Sequence, residues 1–177
     1  AARFLNTLKL TPNVVTLLGL MGTAGAAYLA GVGSLLLAGI ALAVASVLDM
    51  LDGALARLTG SASRFGAALD SVADRLSEAV LLLGVFIFYL RGDDDLGATL
   101  AVIALITSYM VSYIRARGEG LGIAMKESGL GTRPERLAVM IVGLVTGFVM
   151  VALGVVITLS AATSGQRMYH LWREVKG

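Results

Sequence analysis

Four aspartates interrupt a sequence that is otherwise poor in charge. Asp49 and Asp52 stand three residues apart, Asp70 and Asp74 four apart, with a short turn over residues 58–65 between the two pairs. On helices each pair shares one face, and the turn sets the two helices antiparallel, so the four carboxylates converge. Left uncompensated, they would repel one another and be costly to desolvate, so positive charge has to sit among them. Oxygen donors without histidine or cysteine suit hard divalent cations, Mg2+ or Mn2+ ahead of Zn2+. Two ions bridged by shared carboxylates account for the need for four acids, and paired metals clamp phosphoryl oxygens. Gly53 and Ala56 lack bulk beside the acids and leave room for a nucleotide, while Arg57 is placed to meet a phosphate. The chemistry indicated is phosphoryl transfer. Two plainer readings use the same residues: a divalent-cation or proton path through a membrane, or ion pairs between the acids and Arg57, Arg64 or Arg75.

The elements that position these residues are apolar. Of 177 residues, 57% are hydrophobic and 15% charged, and the mean hydropathy is +0.85, a composition that argues against a water-soluble domain and against disorder. The absence of cysteine removes disulfide scaffolds and thiol chemistry, and a single histidine, His170, removes most zinc chemistry. A net charge of +2 gives no support for a nucleic-acid partner. Charges are missing from residues 14–48, 79–90, 96–114 and 137–166. At about 20 apolar residues per span, the first run holds nearly two helices, broken at Gly31-Val32-Gly33-Ser34. The expected helices are 13–30, 35–57, 66–90 and 96–117. Residues 137–166 as one helix would rise about 45 Å, beyond a hydrocarbon core of about 30 Å, so a hairpin turning near 147–154 is expected. The fold class is therefore all-α, an integral membrane protein of six transmembrane helices in one domain over residues 1–177. A short interfacial helix over 1–10 is expected ahead of Thr11-Pro12, with a solvated leader as the plainer alternative. No small-residue cleavage pattern follows the first helix, so a signal peptide is not expected.

Lysine and arginine fix the orientation, since they accumulate on the cytoplasmic side. With six spans, Arg3, Lys9, Arg57, Arg64, Arg115, Arg117, Lys126, Arg133, Arg136, Arg167, Arg173 and Lys176 all fall on one face, and the opposite loops hold only Arg91, beside Asp93, Asp94 and Asp95. Both termini and the aspartates are expected to face the cytoplasm, in the plasma membrane.

The segment from Asp49 to Asp74 resembles the signature of the CDP-alcohol phosphotransferase family, D-x2-D-G-x2-A-R-x8-G-x3-D-x3-D. Asp49, Asp52, Gly53, Ala56, Arg57, Gly66, Asp70 and Asp74 supply all eight fixed positions over 26 residues. Pro12-Asn13-Val14-Val15-Thr16 at the start of the first helix is similar to a Pro-Asn-x-x-Thr stretch of the same family. The resemblance implies transfer of a substituted phosphate from a CDP-linked donor, CDP-diacylglycerol, to an alcohol, with CMP leaving. It also implies that Asp49, Asp52, Asp70 and Asp74 bind two ions, with Asp74 serving in addition as general base on the acceptor hydroxyl. Asn13, Thr16, Asp49, Asp52, Gly53, Ala56, Arg57 and Gly66 would lie against the CDP moiety. A homodimer is implied on the same ground. Membrane prenyltransferases also hold metal-bound diphosphates with aspartates, but the Asp-Gly-x-x-Ala-Arg core does not fit them.

A second polar cluster bears on the acceptor. Ser112, Arg115 and Arg117, then Arg133 and Arg136, then Arg167 approach one cytoplasmic cavity, more cationic charge than an uncharged alcohol requires. Arginine forks phosphate oxygens bidentately, so a phosphorylated polyol is expected. The Ser-Tyr-x-basic-Ala-Arg-x-Glu run, Arg-Pro-Glu-Arg and a late Gln-Arg resemble members that make phosphatidylinositol phosphate from inositol phosphate. Phosphatidylglycerophosphate synthases, which use glycerol 3-phosphate, share much of this pattern. The alternative for these arginines is anchoring at lipid headgroups. Gly19, Gly22, Gly25 and Ala26 read as helix-packing positions. Tyr169, His170 and Trp172 read as an interfacial anchor, with His170 not a ligand.

Overall fold

The computed structural model describes residues 11–61, 63–125 and 131–176. Six α-helices account for nearly all of them, with no strand among the described residues: α1 (Pro12–Gly31), α2 (Leu35–Thr59), α3 (Arg64–Arg91), α4 (Asp95–Gly120), α5 (Arg133–Thr146) and α6 (Val149–Lys176). The expected interfacial helix over 1–10 lies outside the described residues.

Local chemistry fixes the ends of these helices. Pro12 opens α1, where its missing N–H costs nothing. Gly60 ends α2 in the left-handed conformation at φ 62°, and Ser63 caps α3, its hydroxyl accepting from the Gly66 N–H at 3.0 Å. The Asp94 carboxylate does the same for α4 through Gly97 N–H at 2.9 Å. A reciprocal cap between Thr132 and Glu135 starts α5. The expected hairpin in 137–166 is present, with its turn at the early edge of the expected window: Gly147, at φ 79°, ends α5 and α6 begins two residues later.

Four helices, α1, α2, α4 and α6, are long and apolar enough to cross a bilayer. The other two differ for opposite reasons. α3 is long but carries Asp70, Asp74, Arg75 and Glu78 between its start and its middle, whereas α5 has 14 residues and rises only about 21 Å. Large apolar side chains face outward, as lipid contact requires: Leu36, Leu37, Ile40, Val44 and Val47 of α2 are 50–59% exposed.

Between the helices lies a core built from small and branched residues, among them Ala26, Ala30, Leu42, Leu81, Val85, Leu144, Leu153 and Val156. α1 packs on α2 and α3, α4 on α3 and α6, and α5 on α2 and α6. α1 and α3 approach closely enough that a methyl group on Gly84 would land on the backbone of Ala27. Backbone cannot yield as a side-chain tip can, so Gly84→Val is expected to destabilise the protein by about 3 kcal/mol. Thermal unfolding in detergent measures this, and an unchanged midpoint would show that the two helices can separate at no cost.

Candidate active site

Six helix segments bring the sequence-selected residues to one end of the bundle. The last turns of α2 carry Asp49, Asp52, Gly53, Ala56 and Arg57, and the first turns of α3 carry Gly66, Asp70 and Asp74. The Gly60 turn and the Ser63 cap reverse the chain between them. Asn13 and Thr16 come from the start of α1, Ser112, Arg115 and Arg117 from the end of α4, Arg133 and Arg136 from the start of α5, and Arg167 from the second half of α6.

Three of the four aspartates meet. Carboxylate oxygens of Asp49, Asp70 and Asp74 all lie within 4.8 Å of one another. Arg133 reaches between two of them: its Nη1 donates to Asp49 Oδ2 at 2.6 Å and stands 2.5 Å from Asp74 Oδ1. The cation facing the acids is thus Arg133 of α5, rather than Arg57, Arg64 or Arg75. Asp52 is set apart from the other three and buried, and the Thr16 hydroxyl donates to its Oδ2 at 2.5 Å. Thr16 thereby ties the start of α1 to the end of α2.

A divalent cation fits these residues. The donors are hard oxygens from two helices, and one guanidinium cannot balance three carboxylates. Asp74 Oδ1 is buried and, although it faces the Arg133 guanidinium, accepts no hydrogen bond of good geometry among the described residues, so it keeps capacity for a further partner.

Two cavities of appreciable volume open on the acids. The larger, of about 490 Å³, is lined by Asp70, Asp74, Ser112, Arg115, Arg133, Arg136 and Arg167, among others. The smaller, of about 210 Å³, is lined by Asn13, Thr16, Asp52, Gly53, Ala56, Arg57, Gly66 and Asp70, among others. Asp70 is a wall of both. Every residue expected to contact CDP lies on the smaller cavity except Asp49, which stands in the carboxylate cluster. Of the residues expected to meet an acceptor phosphate, all but Arg117, which is exposed, line the larger. The placement of Arg167 beside Arg133 and Arg136 follows from the hairpin, which returns α6 to this end.

The arginines differ in their engagement. Arg115 pairs with Glu119 one turn on at 2.9 Å. Arg167 is buried and donates to the Val111 carbonyl at 2.8 Å. Arg136 is 2% exposed and holds both oxygens of Glu78 at 2.8 Å, as well as the Gly131 carbonyl at 2.6 Å. Glu78 was not singled out from the sequence. Its signal was available, because Asp70, Asp74 and Glu78 recur every four residues and so share one face of α3. The His170 Nε2 lies 3.4 Å from the Ala124 carbonyl, and Tyr169 stacks on Trp172 at 6.0 Å between ring centroids.

Comparison with known proteins places this geometry. The CDP-alcohol phosphatidyltransferase family matches residues 9–168. The chain is 41% identical over 165 residues to archaetidylinositol phosphate synthase of Pyrococcus horikoshii, covering 93% of this chain and 85% of that one. It is 38% identical over 182 residues to phosphatidylinositol phosphate synthase of Mycobacterium marinum, covering 97% and 77%. The crystal structure of Mycobacterium tuberculosis phosphatidylinositol phosphate synthase with CDP-DAG bound superposes with a TM-score of 0.89 at 32% identity, over 97% of this chain and 91% of that one. The structure of the same enzyme with manganese and citrate superposes at 0.86, also at 32% identity, over 97% and 87%.

Proposed function

The chain belongs to the CDP-alcohol phosphatidyltransferase family, and from that premise we propose that it transfers a phosphatidyl group from CDP-diacylglycerol to inositol phosphate, releasing CMP. The observation that carries the reading is the pair of cavities meeting at Asp70, one walled by the signature residues and the other by arginines. The names of the relatives support inositol phosphate over glycerol 3-phosphate as acceptor.

The donor's nucleotide lies in the smaller cavity. Gly53 and Ala56 keep its wall low, Asn13, Thr16 and Gly66 border it, and Arg57 meets a phosphate. Asp49, Asp70 and Asp74, with Asp52 beside them, would hold two divalent ions, Mg2+ or Mn2+. When bound, these ions neutralise the pyrophosphate and stabilise the leaving CMP. Thr16 fixes the orientation of Asp52. Asp74 takes the proton of the acceptor hydroxyl as its oxygen bonds to the phosphatidyl phosphorus and the bond to CMP breaks. Ser112, Arg115, Arg133 and Arg167 form the acceptor's phosphate site, backed by Arg136, whose guanidinium is held by Glu78 and the Gly131 carbonyl; Arg117, exposed and off this cavity, is not part of it. The chain is a single transmembrane domain over residues 1–177 in which all six helices cross, the short α5 accommodated by local thinning of the bilayer, with the site and both termini facing the cytoplasm, and the protein works as a homodimer in the plasma membrane. The positive-inside distribution supports the sidedness, and family likeness supports the dimer.

Purified protein supplied with CDP-diacylglycerol and Mn2+ is expected to release CMP with inositol phosphate, and far less with glycerol 3-phosphate, serine or unphosphorylated inositol. Equal use of unphosphorylated inositol would overturn the acceptor assignment, and metal flux into proteoliposomes without CMP release would replace transfer by transport. Within this reading, Arg133→Ala is expected to raise the KM for inositol phosphate about tenfold or more, the loss of a charge-assisted hydrogen bond. Initial rates at varied acceptor concentration measure it, and an unchanged KM would remove Arg133 from the phosphate site.

A further inference from the structure

Arg133 starts α5, yet the acids it meets lie on α2 and α3. α5 packs along α2 and α6, and α3 packs along α1 and α4, so helix packing does not set the distance from the start of α5 to Asp74. That gap is crossed one turn deeper by Glu78 and Arg136. Glu78 is one turn beyond Asp74 on the same face of α3, and Arg136 is three residues beyond Arg133 on α5. The guanidinium holds both carboxylate oxygens of Glu78 with Nε and Nη2, and with Nη1 it holds the carbonyl of Gly131, just ahead of α5. Gly131 in turn is pressed on α6, where a methyl group would meet the Leu159 carbonyl oxygen at 2.6 Å. The pair therefore joins α3 to the α5 start and, through Gly131, to α6.

A buried ion pair contributes little to stability that an apolar pair of the same volume could not supply. A bidentate fork supplies something an apolar pair cannot, a fixed direction between two helices. We infer that Glu78 is a positioning residue for the transfer reaction, acting through Arg136 to hold Arg133 over Asp74 at the acceptor end of the larger cavity. The inference rests on the reading of that cavity as the acceptor's site. It predicts a one-sided effect, because the smaller cavity is walled by α1, α2, α3 and the segment between α2 and α3, with no residue from α5.

The test is steady-state kinetics on the full chain in detergent, with CDP-diacylglycerol, Mn2+ and inositol phosphate. Glu78→Gln is expected to raise the acceptor KM about tenfold and to leave the donor KM within about twofold of wild type. The double variant Glu78→Leu with Arg136→Met removes both charges; it is expected to unfold at the wild-type temperature while keeping the raised acceptor KM. An acceptor KM unmoved in Glu78→Gln, or donor and acceptor KM raised alike, overturns the inference. If Glu78→Gln does not fold, the double variant decides, and a wild-type acceptor KM there reduces the pair to a packing element. Absence of CMP release by the wild type overturns the transferase reading and this inference with it, whereas an active wild type with an unmoved variant overturns the inference alone.

Discussion

Asp74→Asn is expected to leave a folded protein whose CMP release falls about a thousandfold. The substitution keeps the shape of the side chain, and Asp74 is only partly buried, at the mouth of a polar cavity, so little packing is disturbed. What is lost is a negative charge and a proton acceptor. The carboxylate stands within 4.8 Å of Asp49 and Asp70 and 2.5 Å from the Arg133 guanidinium; in the proposed mechanism its removal weakens cation binding and strips the attacking hydroxyl of its base together. An amide can neither accept that proton near neutral pH nor match a carboxylate as a ligand. CMP release and thermal unfolding, measured on the same preparation, separate lost chemistry from lost fold. Turnover within tenfold of wild type would remove Asp74 from the mechanism.

Exhaustive chelation of divalent cations has a comparable effect. Release of CMP is expected to fall below about 1% and to return on addition of Mn2+ or Mg2+. Cleavage next to a pyrophosphate builds negative charge on the leaving CMP, and among the arginines placed on the donor cavity only Arg57 is available to meet it. Arg133 is engaged with carboxylates and Arg136 with Glu78. Loss of a Lewis acid worth several kcal/mol corresponds to at least a hundredfold in rate. Activity above about a tenth of the original after chelation would mean that the side chains alone carry the reaction.

Much of this site was legible in the sequence because charge is rare there. Asp49, Asp52, Asp70 and Asp74 stand out against long uncharged runs, and their spacing places each pair on one helix face without knowledge of the fold. The turn between α2 and α3 was legible for a related reason, since residues 58–65 join the two runs. The relations between distant elements were not legible. Periodicity says which face Glu78 occupies, but its partner is 58 residues away at the start of α5. The same limit applies to Thr16 and Asp52, whose separate positions were read but whose hydrogen bond was not. It also explains why Arg133 was grouped with the acceptor arginines alone, when its guanidinium reaches into the carboxylate cluster as well. The extent of α5 was open for a different reason: an uninterrupted apolar run of thirty residues carries no internal mark of where it bends except its glycines, and Gly143, Gly147 and Gly154 are all candidates.

Asp70 is the common wall of the two cavities, and this has a stereochemical consequence. In the proposed function donor and acceptor occupy separate cavities that share Asp70 and are bound at the same time, so the acceptor oxygen is expected to attack the phosphorus directly from the face opposite the departing nucleotide. A single in-line displacement turns the phosphorus inside out. With a chiral phosphorothioate donor, the product therefore carries the opposite configuration at phosphorus, whereas a phosphatidylated side chain as intermediate would return the original one.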